Sequence, residues 1–117
     1  MTTTVAGPLD PLNIEQHDRL LAYLRAAGHL TSCESATCKT LTGGVSSRTV
    51  LVERAIGSDW VIKQSLAKLR VDVDWFSDPR RIHREAIGMQ WLNSLAPPSS
   101  VPALVFEDHE AHLLAME

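Results

Sequence analysis

The sequence predicts an α+β domain: a five-stranded antiparallel sheet with one packed helix, preceded by an N-terminal helix. Three observations carry this. Apolar residues between Ile14 and Ala27 recur at helical spacing. From Ala36 to Gln64 the pattern changes to three strand-like runs, broken by Gly43-Gly44 and by Gly57-Ser58-Asp59. A second helical stripe then starts at Asp78-Pro79 and gives way to two more strand-like runs. The implied boundaries are a poorly ordered N-terminus over 1–12, a helical segment over 13–35, and a sheet domain over 36–117.

Asn13 is placed to cap the first helix, whose apolar positions are Ile14, His17 in part, Leu20, Leu21, Leu24 and Ala27. Gly28 is placed to end it. Thr37–Leu41, Thr49–Glu53 and Trp60–Gln64 read as strands joined by tight turns, which makes them an antiparallel meander. Leu69 to Ser77 is an irregular connection. Asp78 offers a capping carboxylate and Pro79 suits a first helical turn. The helix that follows carries Ile82, Ala86, Met89, Leu92 and Leu95 at intervals of three or four, until Pro97-Pro98 stops it. Val101–Phe106 and His112–Met116 read as the last two strands, around a turn at Asp108-His109-Glu110.

At 117 residues the chain is long enough for one modest core. Hydrophobic residues at 44% and charged residues at 21% place it among ordinary globular chains. A net charge of −3 gives no basis for binding nucleic acid or an anionic membrane surface. No apolar run approaches the roughly 20 residues of a membrane-spanning helix. The first eight residues lack the basic and apolar regions of a signal peptide, so a cytoplasmic location is expected. Cys33 and Cys38, with His29 upstream, lack an evident fourth ligand and the tighter spacing of a structural zinc site, so they read as two reduced thiols.

The chemistry sits between Leu41 and Glu85. Gly43-Gly44 permits a sharp turn and a close approach to a ligand, and Ser46 and Ser47 add small hydroxyls beside exposed amides that suit phosphate oxygens. The same Gly-Gly pair also suits an ordinary hairpin. Lys63 follows Trp60, Val61 and Ile62 in a strand that should be largely buried, and a lysine there needs a carboxylate or a phosphate partner. Alternatively it points outward from an edge strand, on the face opposite Ile62. Glu85 lies either in an i, i+4 surface pair with Arg81 or on the sheet side of its helix, where it would fix the Lys63 ammonium. Its place beside the stripe of Ile82, Ala86 and Met89 favours the second arrangement.

Taken together these parts resemble a known family. Gly43-Gly44-Val45-Ser46-Ser47, then the run from Val61 to Val71 with its K-Q-x-L-x-x-L-R-V pattern, then Trp75, Asp78, Arg81 and Glu85, are similar to the N-terminal lobe of the aminoglycoside phosphotransferase superfamily, in the kinase-like fold. Methylthioribose-kinase-like members show the greatest similarity. Val101-Pro102-Ala103-Leu104 through Leu113-Leu114-Ala115-Met116-Glu117 resembles the strands leading to the hinge. The resemblance covers about residues 36–117. It implies that Lys63 contacts the α and β phosphates of ATP, that Glu85 anchors Lys63, and that Gly43, Gly44, Val45, Ser46 and Ser47 cover the phosphates. It further implies that Ile62 and Leu114 line the adenine pocket, with backbone groups near Met116 and Glu117 meeting the base. The family often carries asparagine at the position of Ser47, so phosphate contacts there would differ.

The family's catalytic aspartate and its magnesium-binding aspartate belong to a C-terminal lobe. The expectation is therefore an ATP-binding lobe of a small-molecule phosphotransferase that moves the γ-phosphoryl group to a substrate hydroxyl, inert by itself, with Mg2+ bound only when the C-terminal lobe is present. His109 and His112 read as solvated turn residues. A non-catalytic interaction or regulatory module that pairs with a separate partner, or with itself through an exposed lobe interface, is the alternative. A winged-helix regulator is disfavoured by the acidic balance and the lack of a basic recognition helix.

Overall fold

A computed structural model describes residues 11–42, 44–98 and 100–117. Among these residues, two helices and five strands follow one another as α1 (His17–Ala26), β1 (Ala36–Leu41), β2 (Ser47–Arg54), β3 (Trp60–Ser65), α2 (Arg81–Leu95), β4 (Leu104–Asp108) and β5 (Leu113–Met116). The strands form one sheet in the order β1-β2-β3-β5-β4, and every neighbouring pair is antiparallel. The α+β class and the five-stranded antiparallel sheet are as the sequence predicts. Within the described residues no helix is long and apolar enough to cross a membrane.

Each helix takes one face of the sheet. Because side chains alternate along a strand, Trp60, Ile62 and Gln64 share one face of β3, while Val61, Lys63 and Ser65 share the other. The first face packs against α1. Ile14, Leu20 and Leu24 meet Val50, Val52, Ile62, Leu113 and Ala115 there, all fully buried. The second face packs against α2 through Ile82, Ala86, Met89 and Leu114. Burial of these side chains supplies the main stabilisation of both layers, at roughly 1.5–3 kcal/mol per large aliphatic group.

Helix α1 begins later than Asn13. The Asn13 carboxamide oxygen accepts the amide of Glu15, and the Asn13 carbonyl accepts that of Gln16, so Asn13 organises the turn before the helix rather than capping it. The C-terminus behaves as the sequence suggests. Gly28 has φ +84°, its amide donates to the Arg25 carbonyl, and the amide of His29 donates to the Leu24 carbonyl. That pair of bonds satisfies carbonyls that a helix end leaves open, and it needs a left-handed residue at position 28.

Two boundaries differ from expectation. Pro11 and Leu12 are ordered: the Leu12 carbonyl accepts a bond from the Gln64 carboxamide, and its side chain packs on the α1 layer. Residues 1–10 lie outside the described residues. In α2 the buried stripe stops at Met89, while Leu92 and Leu95 are 54% and 77% exposed. The sheet underlies only the first half of the helix, through Leu104, Leu114 and Met116. The distal half is tied instead through the Asn93 carboxamide, which donates to the carbonyls of Met89 and Pro102. Pro97 ends the helix by holding Ala96 in an extended conformation.

Candidate functional site

Lys63 stands on the central strand β3, not on an edge. Its Cα partners are Thr49 on β2 and Leu114 on β5, so both neighbours share its face of the sheet. Glu85 comes down from α2, and its Oε1 accepts a hydrogen bond from the Lys63 ammonium at 2.5 Å. The two side chains keep 26% and 41% of their surface exposed. The ion pair is therefore half-solvated and open to a further ligand on the ammonium. This settles the choice between the two arrangements of Glu85. Arg81 does not pair with it, since its guanidinium donates to the carbonyls of Leu66, Asp78 and Ser46.

Around Lys63 the same face carries Thr49 and Leu51 from β2, Val61 from β3, and Leu114 and Met116 from β5. Leu41, opposite Thr49 on β1, extends it and is 41% exposed. The apolar members of this set form a shelf beside the Lys63 ammonium, and Lys39, opposite Leu51 on β1, lies on the same face and pairs with Glu53. Ile62 does not belong to the shelf. It is fully buried on the opposite face in the α1 core, so it and Leu114 lie on opposite sides of the sheet. Val61 is the β3 residue next to Lys63 that shares its face. Met116 lies at the shelf's far edge, opposite Val61. The Glu117 amide already donates to the carbonyl of Ala103 at 3.0 Å, so that N–H is engaged within the protein.

The turn between β1 and β2 is held from below. The Ser46 carbonyl accepts the amide of Leu66 as well as Arg81, and the Val45 carbonyl accepts the amide of Arg70 at 2.8 Å. A Cβ on Gly44 would lie 3.0 Å from the Ser47 carbonyl oxygen, tighter than most side-chain contacts, so the turn would have to give by a few tenths of an ångström. Glycine at 44 relieves this close backbone approach. Ser47 starts β2 opposite Ser65. Gly43 lies outside the described residues. The turn and Lys63 both lie toward the same end of β2 and β3, since Thr49, two residues into β2, pairs with Lys63.

A separate cleft of about 490 Å³ includes neither Lys63 nor Glu85. It is lined by Tyr23, Arg48, Gln64, Ser65, Asp108 and His112, among others. Gln64 closes its floor with all four of its hydrogen-bonding positions used: the oxygen accepts from Ile14 and Arg48, and the nitrogen donates to Leu12 and Ala111. Asp108 accepts the Tyr23 hydroxyl at 2.6 Å and the amides of Glu110 and Ala111. Partial burial works to raise the Asp108 pKa, but these three donors outweigh it and hold the carboxyl below its usual range. Burial and the Asp108 charge together push the Tyr23 phenol upward.

His112 is not a solvated turn residue. It is half-buried, with φ 52°, and its ring faces His83 on α2. His83 and Glu107 carried no signal on the strand and helix patterns, because each looks like a polar residue on an ordinary amphipathic element. Their proximity depends on the β4–β5 hairpin lying beside α2. Cys33 and Cys38 are free thiols, and partial burial raises the pKa of Cys38. No protein-family model matches this sequence, and no curated protein matches it.

Proposed function

We propose that residues 36–117 form the ATP-binding N-terminal lobe of a small-molecule phosphotransferase of the aminoglycoside phosphotransferase type. The observation that carries the reading is the 2.5 Å contact between Lys63 and Glu85, made from a central strand and a helix beside a glycine-containing turn. An ammonium held by one carboxylate keeps two N–H directions for phosphate oxygens, which is the use kinase folds make of such a pair. The apolar shelf of Leu41, Val61, Leu114 and Met116 is the surface on which an adenine would lie, and Val61 takes the place first assigned to Ile62. The lobe would position the nucleotide and neutralise charge. Proton removal from an acceptor hydroxyl and Mg2+ binding would fall to a C-terminal lobe, which would also close the shelf.

The direct test is titration of a fluorescent ATP analogue into the chain, alongside Lys63→Met and Glu85→Gln variants with unchanged circular dichroism. Saturable binding that Lys63→Met abolishes and Glu85→Gln weakens about tenfold supports the lobe. Binding equal in all three proteins sinks it.

A second reading, a partner-binding module without catalysis, is favoured by one feature. Helix α2 exposes Ile87, Trp91 and Leu95 at 53%, 65% and 77%, more apolar surface than a solvated helix face needs. Concentration-dependent sedimentation that Trp91→Glu reverses would favour this reading over the first, if nucleotide binding were also absent.

A further inference from the structure

The β4–β5 hairpin and the first turns of α2 bring together four side chains that nucleotide binding does not use. Glu107 Oε1 lies 2.7 Å from His83 Nδ1 and 2.9 Å from His109 Nε2. On its other edge, His83 Nε2 lies 3.2 Å from His112 Nδ1. The His83 ring is stacked on that of His109 at 3.7 Å, and it is tilted 57° to that of His112. One potential ligand atom from each of His83, Glu107 and His109 falls within 4.8 Å of the other two.

We propose that His83, Glu107 and His109 form a binding site for a divalent transition-metal ion such as Zn2+, with His112 orienting His83. Two imidazoles and a carboxylate are the donor set of zinc, cobalt and nickel rather than of calcium or magnesium, which prefer oxygen alone. Three protein ligands with a fourth position left to solvent is the pattern of an open zinc site. Here the ligands come from three places in the chain, a helix, a strand and a turn, so the ion would join α2 to the hairpin.

The arrangement of protons in the cluster suits such an ion. Without an ion, a single carboxylate oxygen takes the N–H of both imidazoles, an arrangement in which two protons stand where one cation would. When the ion binds, each neutral ring moves its proton to its other nitrogen, His83 from Nδ1 to Nε2 and His109 from Nε2 to Nδ1, which frees the lone pairs facing the ion. His112 shifts its own proton from Nδ1 to Nε2, so that His83 Nε2–H donates across the same 3.2 Å contact with the direction reversed. A ligating histidine fixed through its second nitrogen is the ordinary outer-shell arrangement. The left-handed backbone of His112, an uncommon conformation for a residue with a side chain, accompanies that orientation of the ring.

The movement required is small and falls on the residue best able to make it. Bonds of about 2.0–2.1 Å in a tetrahedron put ligand atoms about 3.3 Å apart, so the two contacts to Glu107 must open by about half an ångström. An ion must also lie near the plane of each ring, and the stacked rings share no plane. His109, whose side chain is 71% exposed in the turn, can rotate, whereas His83 at 11% is held by its packing.

The test uses the whole chain, stripped with chelator and dialysed, then titrated with Co2+ followed by absorbance and with Zn2+ followed by thermal melting. The proposal expects one Co2+ per chain with an intense tetrahedral visible band. It also expects a Zn2+-dependent rise in Tm of several degrees, with at least tenfold weaker binding in His109→Asn and in Glu107→Gln. The His109 variant alters an exposed side chain, so loss of binding there is not loss of fold. A Cys33→Ser, Cys38→Ser double variant should bind as the parent does. Binding that survives both site variants, that disappears with the cysteines, or that is absent from the parent at ion concentrations of 100 µM (on the order of weak surface-histidine binding) overturns the proposal.

Discussion

Arg81 and Ser46 join the start of α2 to the β1–β2 turn: the guanidinium donates to the Ser46 carbonyl, which also receives the amide of Leu66. The helix that brings Glu85 to Lys63 is thereby tied to the turn proposed to cover phosphates. Replacing Arg81 by alanine removes three donor contacts to carbonyls, those of Leu66, Asp78 and Ser46. A loss of about 1–3 kcal/mol in urea unfolding is expected, with faster hydrogen exchange at the Leu66 and Arg70 amides. Lysine should not restore the parent value, because a single ammonium cannot reproduce the planar fork. Unchanged exchange at those two amides would refute the tie.

The Lys63–Glu85 pair should matter little for stability. With 26% and 41% of the side-chain surfaces exposed, solvent screens the attraction to about 0–1 kcal/mol. A double-mutant cycle of Lys63→Met and Glu85→Gln, read by urea denaturation, should give a coupling within that range. A coupling above about 2 kcal/mol would make the pair a structural bridge rather than a ligand-holding one.

Acid sensitivity should follow Asp108. Its pKa is lower folded than unfolded, so its stabilising contribution is full above the unfolded value near 3.9 and disappears as pH falls through the lower folded value. Tyr23→Phe removes one of the three donors that lower it. The variant should be less stable than the parent by about 1–2 kcal/mol at pH 7, with the gap narrowing below pH 4. Asp78, whose pKa is brought down to about 2 chiefly by its hydrogen bonds from Arg80, titrates in the same window but is untouched by the substitution. Parallel stability curves for the two proteins down to pH 2 would contradict the assignment.

Gly28 offers a test of backbone conformation alone. A Cβ there would meet nothing within 4 Å, yet φ is +84°. Gly28→Ala should therefore cost about 1–2 kcal/mol through the left-handed backbone and not through a clash. Asparagine should cost less, since it tolerates that region better. Equal losses for both would point to a cause other than φ.

Much of the fold could be read from the chain because its periods are clean. The strands over 36–64, the stop at Gly28 and the start near Asp78-Pro79 depend on local chemistry, and they fall within a few residues of their observed places. The misreadings arise where tertiary position overrides pattern. Leu92 and Leu95 continue a flawless helical stripe, but no strand lies beneath them. Ile62 and Lys63 are adjacent in sequence, and alternation alone would have assigned Ile62 to the far face. The histidine cluster was hidden for a related reason: His83 and Glu107 are 24 residues apart and meet only when hairpin and helix dock.

Gln64 has a consequence for where this protein can be cut. Its buried carboxamide links the stretch before α1, strand β2 and the β4–β5 turn, one residue along from the lysine on the other face. Residues 11–35 are thus not an appendage to the sheet but its second wall. A chain begun at Ala36 would leave Val50, Val52, Trp60 and Ile62 facing water and Gln64 without half its partners. Such a fragment should aggregate when produced by itself and become soluble when a peptide of residues 11–35 is supplied in trans. The smallest working unit would then be two pieces that recognise each other, with a seam made of the Ile14, Leu20 and Leu24 layer and the Gln64 carboxamide.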